Sequence, residues 1–266
     1  MKKEWIELAV QAAKEASKEI MNVYSLPFEI EIKQDNSPVT IADKLSGKTI
    51  QRHLQQTGIK IISEEETIPP YASRKNEEFV WIVDPLDGTK EFIKKNDEFC
   101  ICIALIKNGI PHFGLIASPT EKKIILGGKE IGTFEFDFNE DDFLNNKNKL
   151  PIISDRKINT ITHSRSHLSE QTSTLLEQFN KKSEYKFIRK GSALKFIDLA
   201  KNKAQLYPRT APTMEWDIAA GHAIYEGVGG EVLDFSNFEP LTYNKEDLYN
   251  PYFIAKPQSI IFKHEE

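Results

Sequence analysis

The chain has 266 residues, 39% of them hydrophobic and 28% charged, enough for one large domain or two modest ones with a real core under a charged surface. Its formal net charge of −5 argues against a binder of polymeric nucleic acid, although a small anionic ligand needs only a local cluster of cations or carboxylate-held metal. No stretch approaches the roughly 20 apolar residues of a membrane span, and Met1-Lys2-Lys3-Glu4-Trp5 lacks the apolar block of a signal peptide, so a cytoplasmic location is the default expectation.

Residues 4–24 place Trp5, Leu8, Ala9, Ala12, Ala16, Ile20 and Val23 at helical spacing, which predicts a core-packing helix. Residues 28–32 alternate apolar and acidic side chains and predict a strand with one wet face. After Pro38, the spacing of Ile41, Leu45, Ile50 and Leu54 predicts a helix starting near Thr40, with Asp43 in its first turn, where the helix dipole favours a carboxylate. Residues 59–62 form a short apolar run that ends in Ser63-Glu64-Glu65-Glu66; Glu64, nearest the strand end, is the site candidate, and the other two glutamates read as solvated loop.

The stretch around which the chain is organised follows. Residues 79–83 read as a buried strand ending in Asp84-Pro85-Leu86-Asp87-Gly88-Thr89. Pro85 biases Asp84 towards extended geometry and Gly88 permits a conformation that side chains forbid. Two carboxylates, the Leu86 carbonyl and the amides after Gly88 are what a hard cation and a phosphate require at a strand end.

Residues 99–106 and 110–117, split by Lys107-Asn108-Gly109, predict a hairpin. Cys100 and Cys102 lie on it at a spacing that faces them to one side; they read as reduced and buried, and a metal role would need further Cys or His ligands that are not close in sequence. Residues 124–126 and 131–138 continue the β pattern, and 139–149 read as a connection. The second half alternates strand and helix: strand 158–162, a helix to about Phe179, strand 185–189, helix 193–200, strand 204–207 ending at Pro208-Arg209, a helix opened by Trp216-Asp217, and strand 231–233.

Element ends in the first half carry acidic candidates, Asp43, Glu64, Asp84 and Asp87, and those in the second half carry Arg165, His167, Ser192, Lys195 and Arg209, with Asp217 as the acidic exception. A carboxylate cage facing a cationic wall suits an anionic substrate processed with a divalent metal, and oxygen-only ligands favour Mg²⁺ over Zn²⁺. His163 and His222 read as structural or surface groups, and Trp216 as a core anchor.

Glu64-Glu65, Asp84-Pro-Leu-Asp-Gly-Thr89 and Trp216-Asp217-Ile-Ala-Ala-Gly221, in that order, resemble the signature of the inositol monophosphatase superfamily of lithium-sensitive Mg²⁺ phosphatases. Lys33-x-Asp35-x-Ser37-Pro38-Val39-Thr40-x-Ala42-Asp43, Ser164-Arg165-Ser166-His167, Gly191-Ser192-Ala193-Leu194-Lys195-Phe196 and Tyr207-Pro208-Arg209 are similar to its 3′(2′),5′-bisphosphate nucleotidases of the CysQ type. The resemblance implies a layered αβαβα sandwich (α/β, or α+β layered), with an α+β half over 1–150 carrying the metal carboxylates and an α/β half over 151–266 carrying nucleotide recognition. It implies Glu64, Asp84 and the Leu86 carbonyl on one Mg²⁺, and Asp84, Asp87 and Asp217 on a second, with two or three ions per site and inhibition by Li⁺. Asp43 and Thr89 would activate the water with help from Glu64. Gly88 and Thr89 amides would bind the scissile phosphate, and His167, Ser192, Lys195, Arg209 and Asp217 would hold the nucleotide. Asp35 takes no firm role.

The implied reaction removes the 3′-phosphate of adenosine 3′,5′-bisphosphate, with adenosine 3′-phosphate 5′-phosphosulfate as a second substrate. The partner is thus a small nucleotide, and a monomer is expected, with a dimer open. The alternatives are an inositol or sugar phosphatase with the same cage and another recognition wall, and a metal- and nucleotide-binding module without turnover.

Overall fold

Two adjacent strands carry apolar side chains on both faces, as strands covered on two sides must. These are β4 (Phe79–Asp87) and β5 (Cys100–Lys107). Trp81, Val83, Ile101, Ile103 and Leu105 enter one core, while Val80, Ile82, Cys100, Cys102 and Ala104 enter another. The computed structural model describes residues 1–33, 37–153, 158–166, 172–174, 176–177 and 185–260.

The central sheet has seven strands in the order β3 (Lys60–Ser63), β4, β5, β6 (Ile110–Ser118), β7 (Lys123–Gly128), β8 (Gly132–Asp137) and β9 (Asn148–Lys149). Only β3 and β4 run parallel; every other neighbouring pair is antiparallel. A small hairpin, β1 (Ile30–Ile32) with β2 (Pro38–Thr40), precedes it. The described helices are α1 (Lys3–Tyr24), α2 (Ile41–Leu54), α3 (Tyr71–Arg74), α4 (Thr89–Ile93), α5 (Leu194–Ala200) and α6 (Glu215–Glu226), with helical residues also at 172–174 and 176–177.

Helices α1 and α2 cover one face of the central sheet through Trp5, Ala9, Ala12, Ala16, Ile20, Ile50 and Leu54, the periodicity read from the sequence. On the other face lie α5 and α6. Gly114 lets α6 approach closely: a Cβ there would fall 2.1 Å from the Ala220 carbonyl oxygen. Beyond these helices stands a second sheet, with β10 (Thr160–Ser164) parallel to β11 (Lys186–Lys190), and β12 (Tyr207–Arg209), β14 (Phe253–Pro257) and β13 (Gly230–Asp234) antiparallel in that order. A parallel bridge between Ile161 and Leu206 joins the two parts. Val232, Phe253 and Ala255 face α5 and α6, while Leu233, Ile254 and Ile161 face Leu176 on the outer side. The layers therefore run helix, sheet, helix, sheet, helix, as the family resemblance implied.

Several local expectations are corrected. Strand β4 does not stop at Val83 but continues to Asp87, with a register irregularity between Asp84 and Asp87, because β5 still offers Cys102 and Cys100 as partners there. The strand expected over 28–32 is shortened to Ile30–Ile32, exposed on both faces where it pairs with β2, whereas Phe28 leaves it to pack on Phe92. The strand expected over 204–207 lies at Tyr207–Arg209, because the segment before it is used by the bridge to β10. Strand β14 was not anticipated: Lys256 interrupts its apolar run and Pro257 ends it, yet Lys256 is buried by pairing with Glu231 across the sheet.

Candidate active site

The site forms where β4 runs out between the two cores. Asp84 Oδ1 accepts the Leu86 amide at 2.9 Å, at the irregularity where β4 shifts its register against β5. Gly88 then turns the chain with φ +97; a Cβ there would lie 3.0 Å from the Glu98 carbonyl oxygen and 3.2 Å from Ser192 Cβ, so only glycine fits the turn that brings Thr89 to the cleft. Ser46 in α2 donates to the Pro85 carbonyl at 2.7 Å and ties that helix to the same turn.

Thr40 caps α2. Its hydroxyl accepts the Ala42 amide at 3.2 Å and donates to Asp43 Oδ2 at 2.7 Å, and its own amide donates to the same oxygen at 2.8 Å. The other oxygen, Oδ1, accepts the Thr89 hydroxyl at 2.9 Å. Asp43 is buried, which pushes its carboxyl above the usual range against the pull of the hydrogen bonds from Thr40 and Thr89. The residue expected as a helix-start charge is thus both cap and partner of Thr89.

Carboxylate oxygens of Glu64, Asp84 and Asp217 lie within 4.8 Å of one another. Glu64 follows β3, its amide bound to the Val83 carbonyl at 3.2 Å. Asp217 sits in the first turn of α6, where its Oδ2 accepts the Met214 amide at 2.8 Å. Burial lifts Asp84 well above the usual carboxylate range, and the charges of Glu64, Asp87 and Asp217 add to it. Asp217 is lifted by burial to about 8, with Asp87 and Glu64 contributing. Asp87 reaches about 6 through burial, held down by the Lys195 ammonium and the Ala193 amide. Desolvated carboxylates that raise one another's affinity for protons form a cavity built for a cation, and their all-oxygen donors suit a hard one. The residues present therefore fit a divalent metal.

Asp87 differs from its three partners. It accepts the Ala193 amide and lies 3.9 Å from Cys100 Sγ, so it faces the second half as well as the cage. Lys33, which the sequence offered only as part of a motif, donates to Glu64 at 2.9 Å and also to Glu65. Glu65 is consequently not solvated loop, its side chain being 10% exposed. Burial opposes the Lys33 charge, yet Glu64 and Glu65 hold its ammonium above the usual lysine range.

Facing the carboxylates across a cavity of about 540 Å³ are Ser192, Lys195 and Arg209. Ser192 adopts φ +48, a conformation rare for a side-chain-bearing residue. Lys195 is buried, donates to the Ser192 and Lys190 carbonyls and stands 5.2 Å from the centre of the Tyr207 ring. Arg209 spends Nε on the Ala211 carbonyl at 3.2 Å and Nη2 on the Pro212 carbonyl at 3.3 Å. Trp216 is buried and borders the cavity. His163 and His222 are buried too, and His222 Nδ1 bonds the Tyr243 hydroxyl at 2.8 Å, consistent with structural roles. His167 and Asp35 lie outside the described residues.

Sequence reasoning missed Glu98. Its two oxygens take Arg165 Nε at 2.6 Å and Nη2 at 2.8 Å, and Oε2 also accepts the Gly191 amide at 2.7 Å. This forked pair clamps Gly191, and with it the loop carrying Ser192 and the start of α5 with Lys195, onto the first half of the chain. Before a strand, Asp97-Glu98 looks like ordinary surface charge, so no local signal marks it.

The family model of the Inositol monophosphatase family matches residues 1–259. CysQ of Shigella flexneri, a 3′(2′),5′-bisphosphate nucleotidase, is 37% identical over 248 residues, 91% of this chain and 96% of that protein. The nucleotidase CysQ of Salmonella typhimurium is 36% identical over 259 residues, 93% and 98% of the two chains. The crystal structure of CysQ from Bacteroides thetaiotaomicron superposes with a TM-score of 0.86 at 38% identity, covering 96% of this chain and 97% of that one. SuhB from Bartonella henselae, at 23% identity and a TM-score of 0.76 over 95% and 93% of the chains, shares the fold. The chain belongs to the inositol monophosphatase family of metal-dependent phosphatases.

Proposed function

We propose that this protein is a Mg²⁺-dependent 3′(2′),5′-bisphosphate nucleotidase that converts adenosine 3′,5′-bisphosphate to AMP and phosphate and also accepts adenosine 3′-phosphate 5′-phosphosulfate. The observation that carries the reading is the single cavity in which the Glu64–Asp84–Asp217 cluster faces Lys195 and Arg209. One phosphate is cleaved at the carboxylate side, and the other gives the cationic side a remote grip whose binding energy can be spent at the reacting centre. The nucleotidase activity of the relatives at 36–37% identity supports it. A cytoplasmic protein inhibited by Li⁺ belongs to the same reading.

Glu64, Asp84 and the Leu86 carbonyl would hold one Mg²⁺, and Asp84, Asp87 and Asp217 another. Bound Mg²⁺ supplies charge neutralisation at the phosphate and lowers the pKa of water. The protein's own residues do the rest. Thr89 Oγ1 gives its hydrogen to Asp43 Oδ1, which leaves its lone pairs to accept a hydrogen from the attacking water. As the water oxygen bonds to phosphorus, the P–O3′ bond breaks with its electron pair on the ribose oxygen. The water proton passes to Thr89 Oγ1, the threonine hydrogen to Asp43 Oδ1, and the ribose oxygen takes a proton from solvent. A buried carboxylate with raised proton affinity suits that acceptor role. Gly88 and Thr89 amides would receive the scissile phosphate, while Ser192, Lys195, Arg209 and His167 would hold the nucleoside and the retained phosphate.

The test is phosphate release with Mg²⁺ from adenosine 3′,5′-bisphosphate, AMP and inositol 1-phosphate, using wild type and Lys195→Ala. Wild type should act selectively on the bisphosphate. The variant should lose about 10- to 100-fold in kcat/KM on it, as expected for a lost charge-assisted hydrogen bond, and change little on inositol 1-phosphate. Equal wild-type rates on the bisphosphate and inositol 1-phosphate would overturn the assignment.

A further inference from the structure

In the sequence Cys100 and Cys102 have no further Cys or His ligand close by. The fold supplies a carboxylate instead. In the β4–β5 ladder Cys100 is the cross-strand partner of Asp87 and Cys102 that of Asp84, so both thiols lie on the strand beside the carboxylates. Their i, i+2 spacing points both side chains to the face that packs on α5. The two sulfurs are 3.9 Å apart, Cys100 Sγ is 3.9 Å from Asp87 Oδ2, and the three ligand atoms all lie within 4.8 Å of one another.

These separations match a tetrahedral soft-metal site. Zinc bonds of about 2.3 Å to sulfur and about 2.0–2.2 Å to a carboxylate oxygen place two sulfurs about 3.8 Å apart and sulfur about 3.6 Å from oxygen. A reduced thiol pair serving only as core filler has no need of a carboxylate at that distance. Asp87 and Ser192 line the cavity, and Ser192 Oγ is 3.5 Å from Cys100 Sγ, so the buried thiols lie directly behind two residues of the cleft wall. Ser192 Oγ or a water completes the four positions.

We propose that Cys100, Cys102 and Asp87 form a second metal site, for a thiophilic divalent cation of the Zn²⁺ class, behind the hard-cation cage. On binding, two S–H bonds break, two metal–sulfur bonds form, and two protons leave to solvent. Mg²⁺ does not compete there, because thiolates select soft cations over hard ones. Because Asp87 is shared, occupation draws its carboxylate away from the cage and inhibits hydrolysis. That consequence rests on the role given to Asp87 under the proposed function; the binding itself does not.

The experiment uses the full chain, reduced with a phosphine and desalted, titrated with Co²⁺ in excess Mg²⁺. Wild type should develop a sulfur-to-cobalt charge-transfer band in the near ultraviolet, which carboxylate-bound cobalt cannot give. Cys100→Ser and Cys102→Ser should each weaken binding by at least about tenfold, and Cys100→Ala/Cys102→Ala should abolish the band. In the hydrolysis assay at saturating Mg²⁺, that double variant should remain active and need at least about tenfold more Zn²⁺ for half-inhibition. Absence of the band in wild type overturns the site, and this reading needs no variant to fold. A band that survives loss of both thiols overturns it as well. Zn²⁺ inhibition unchanged in the double variant overturns the inhibitory consequence. A wild type that shows the band but releases no phosphate from the bisphosphate upholds the metal site and removes the nucleotidase reading instead.

Discussion

Thr89 has one hydroxyl hydrogen, and Asp43 Oδ1 takes it at 2.9 Å. The carboxylate cannot swing to another partner, since Thr40 holds its second oxygen with two hydrogen bonds. The pair is therefore set before substrate arrives, on a residue that lines the cavity. Thr89→Ala should lower kcat by about 100- to 10,000-fold, the usual worth of a positioned proton acceptor, with KM little changed. Thr89→Ser keeps the hydroxyl and should recover most of the rate. Steady-state kinetics of the two variants on the bisphosphate decide this. A Thr89→Ala enzyme within a few-fold of wild type would remove Thr89 from the proton path and leave Asp43 as a cap alone.

The same threonine–aspartate unit also starts a helix, which makes the N-terminus of α2 a place where stability and rate can be measured together. Thr40→Ala removes the cap and should cost about 1 kcal/mol of unfolding free energy; it should lower kcat too, because Asp43 loses the hydroxyl that fixes it. Thr40→Ser should restore both. If denaturant titration shows the cost but kcat is untouched, Thr40 is structural only and positions nothing. At this scale much was legible in the sequence. The apolar spacing of Trp5, Ala9, Ala12, Ala16 and Ile20 marks α1, and the Asp84-Pro85-Leu86-Asp87-Gly88 turn marks the end of β4. What was not legible depends on neighbours far along the chain. Strand β4 extends to Asp87 because β5 is there to pair, and Lys256 is buried only because Glu231 lies opposite. Glu98 and Lys33 look like loop charges until folding brings Gly191 and Glu64 to them. Periodicity reports which face of an element is buried, but it does not report which distant charge an exposed-looking residue will meet.

Across the whole molecule the cage draws on both halves, with Glu64 and Asp84 from the first and Asp217 from the second, so the charge gathered there acts on the stability of the entire fold. Folding without metal raises Asp87 to about 6 and Asp217 to about 8. The native state then holds protons that the unfolded chain, with ordinary aspartates near 3.8, has already released. Stability from these groups is fully present below the unfolded value and is lost as pH rises through the folded ones, because unfolding releases charge from a desolvated cluster. Mg²⁺ held there, as proposed, would compete with those protons, so its effect would have the opposite slope: little would be gained where the carboxylates are protonated, and most where they are ionised. Melting temperature in EDTA should therefore fall as pH rises from about 6 to about 8, whereas the increment from saturating Mg²⁺ should grow over the same interval. Asp217→Asn should flatten both trends, since it removes a carboxylate raised to about 8, at the upper end of that window. A Mg²⁺ increment that is equal at both ends of the range in wild type would mean that the Glu64–Asp84–Asp217 cluster is not where the cation binds, and trends unchanged in Asp217→Asn would mean that Asp217 is not the carboxylate that sets them.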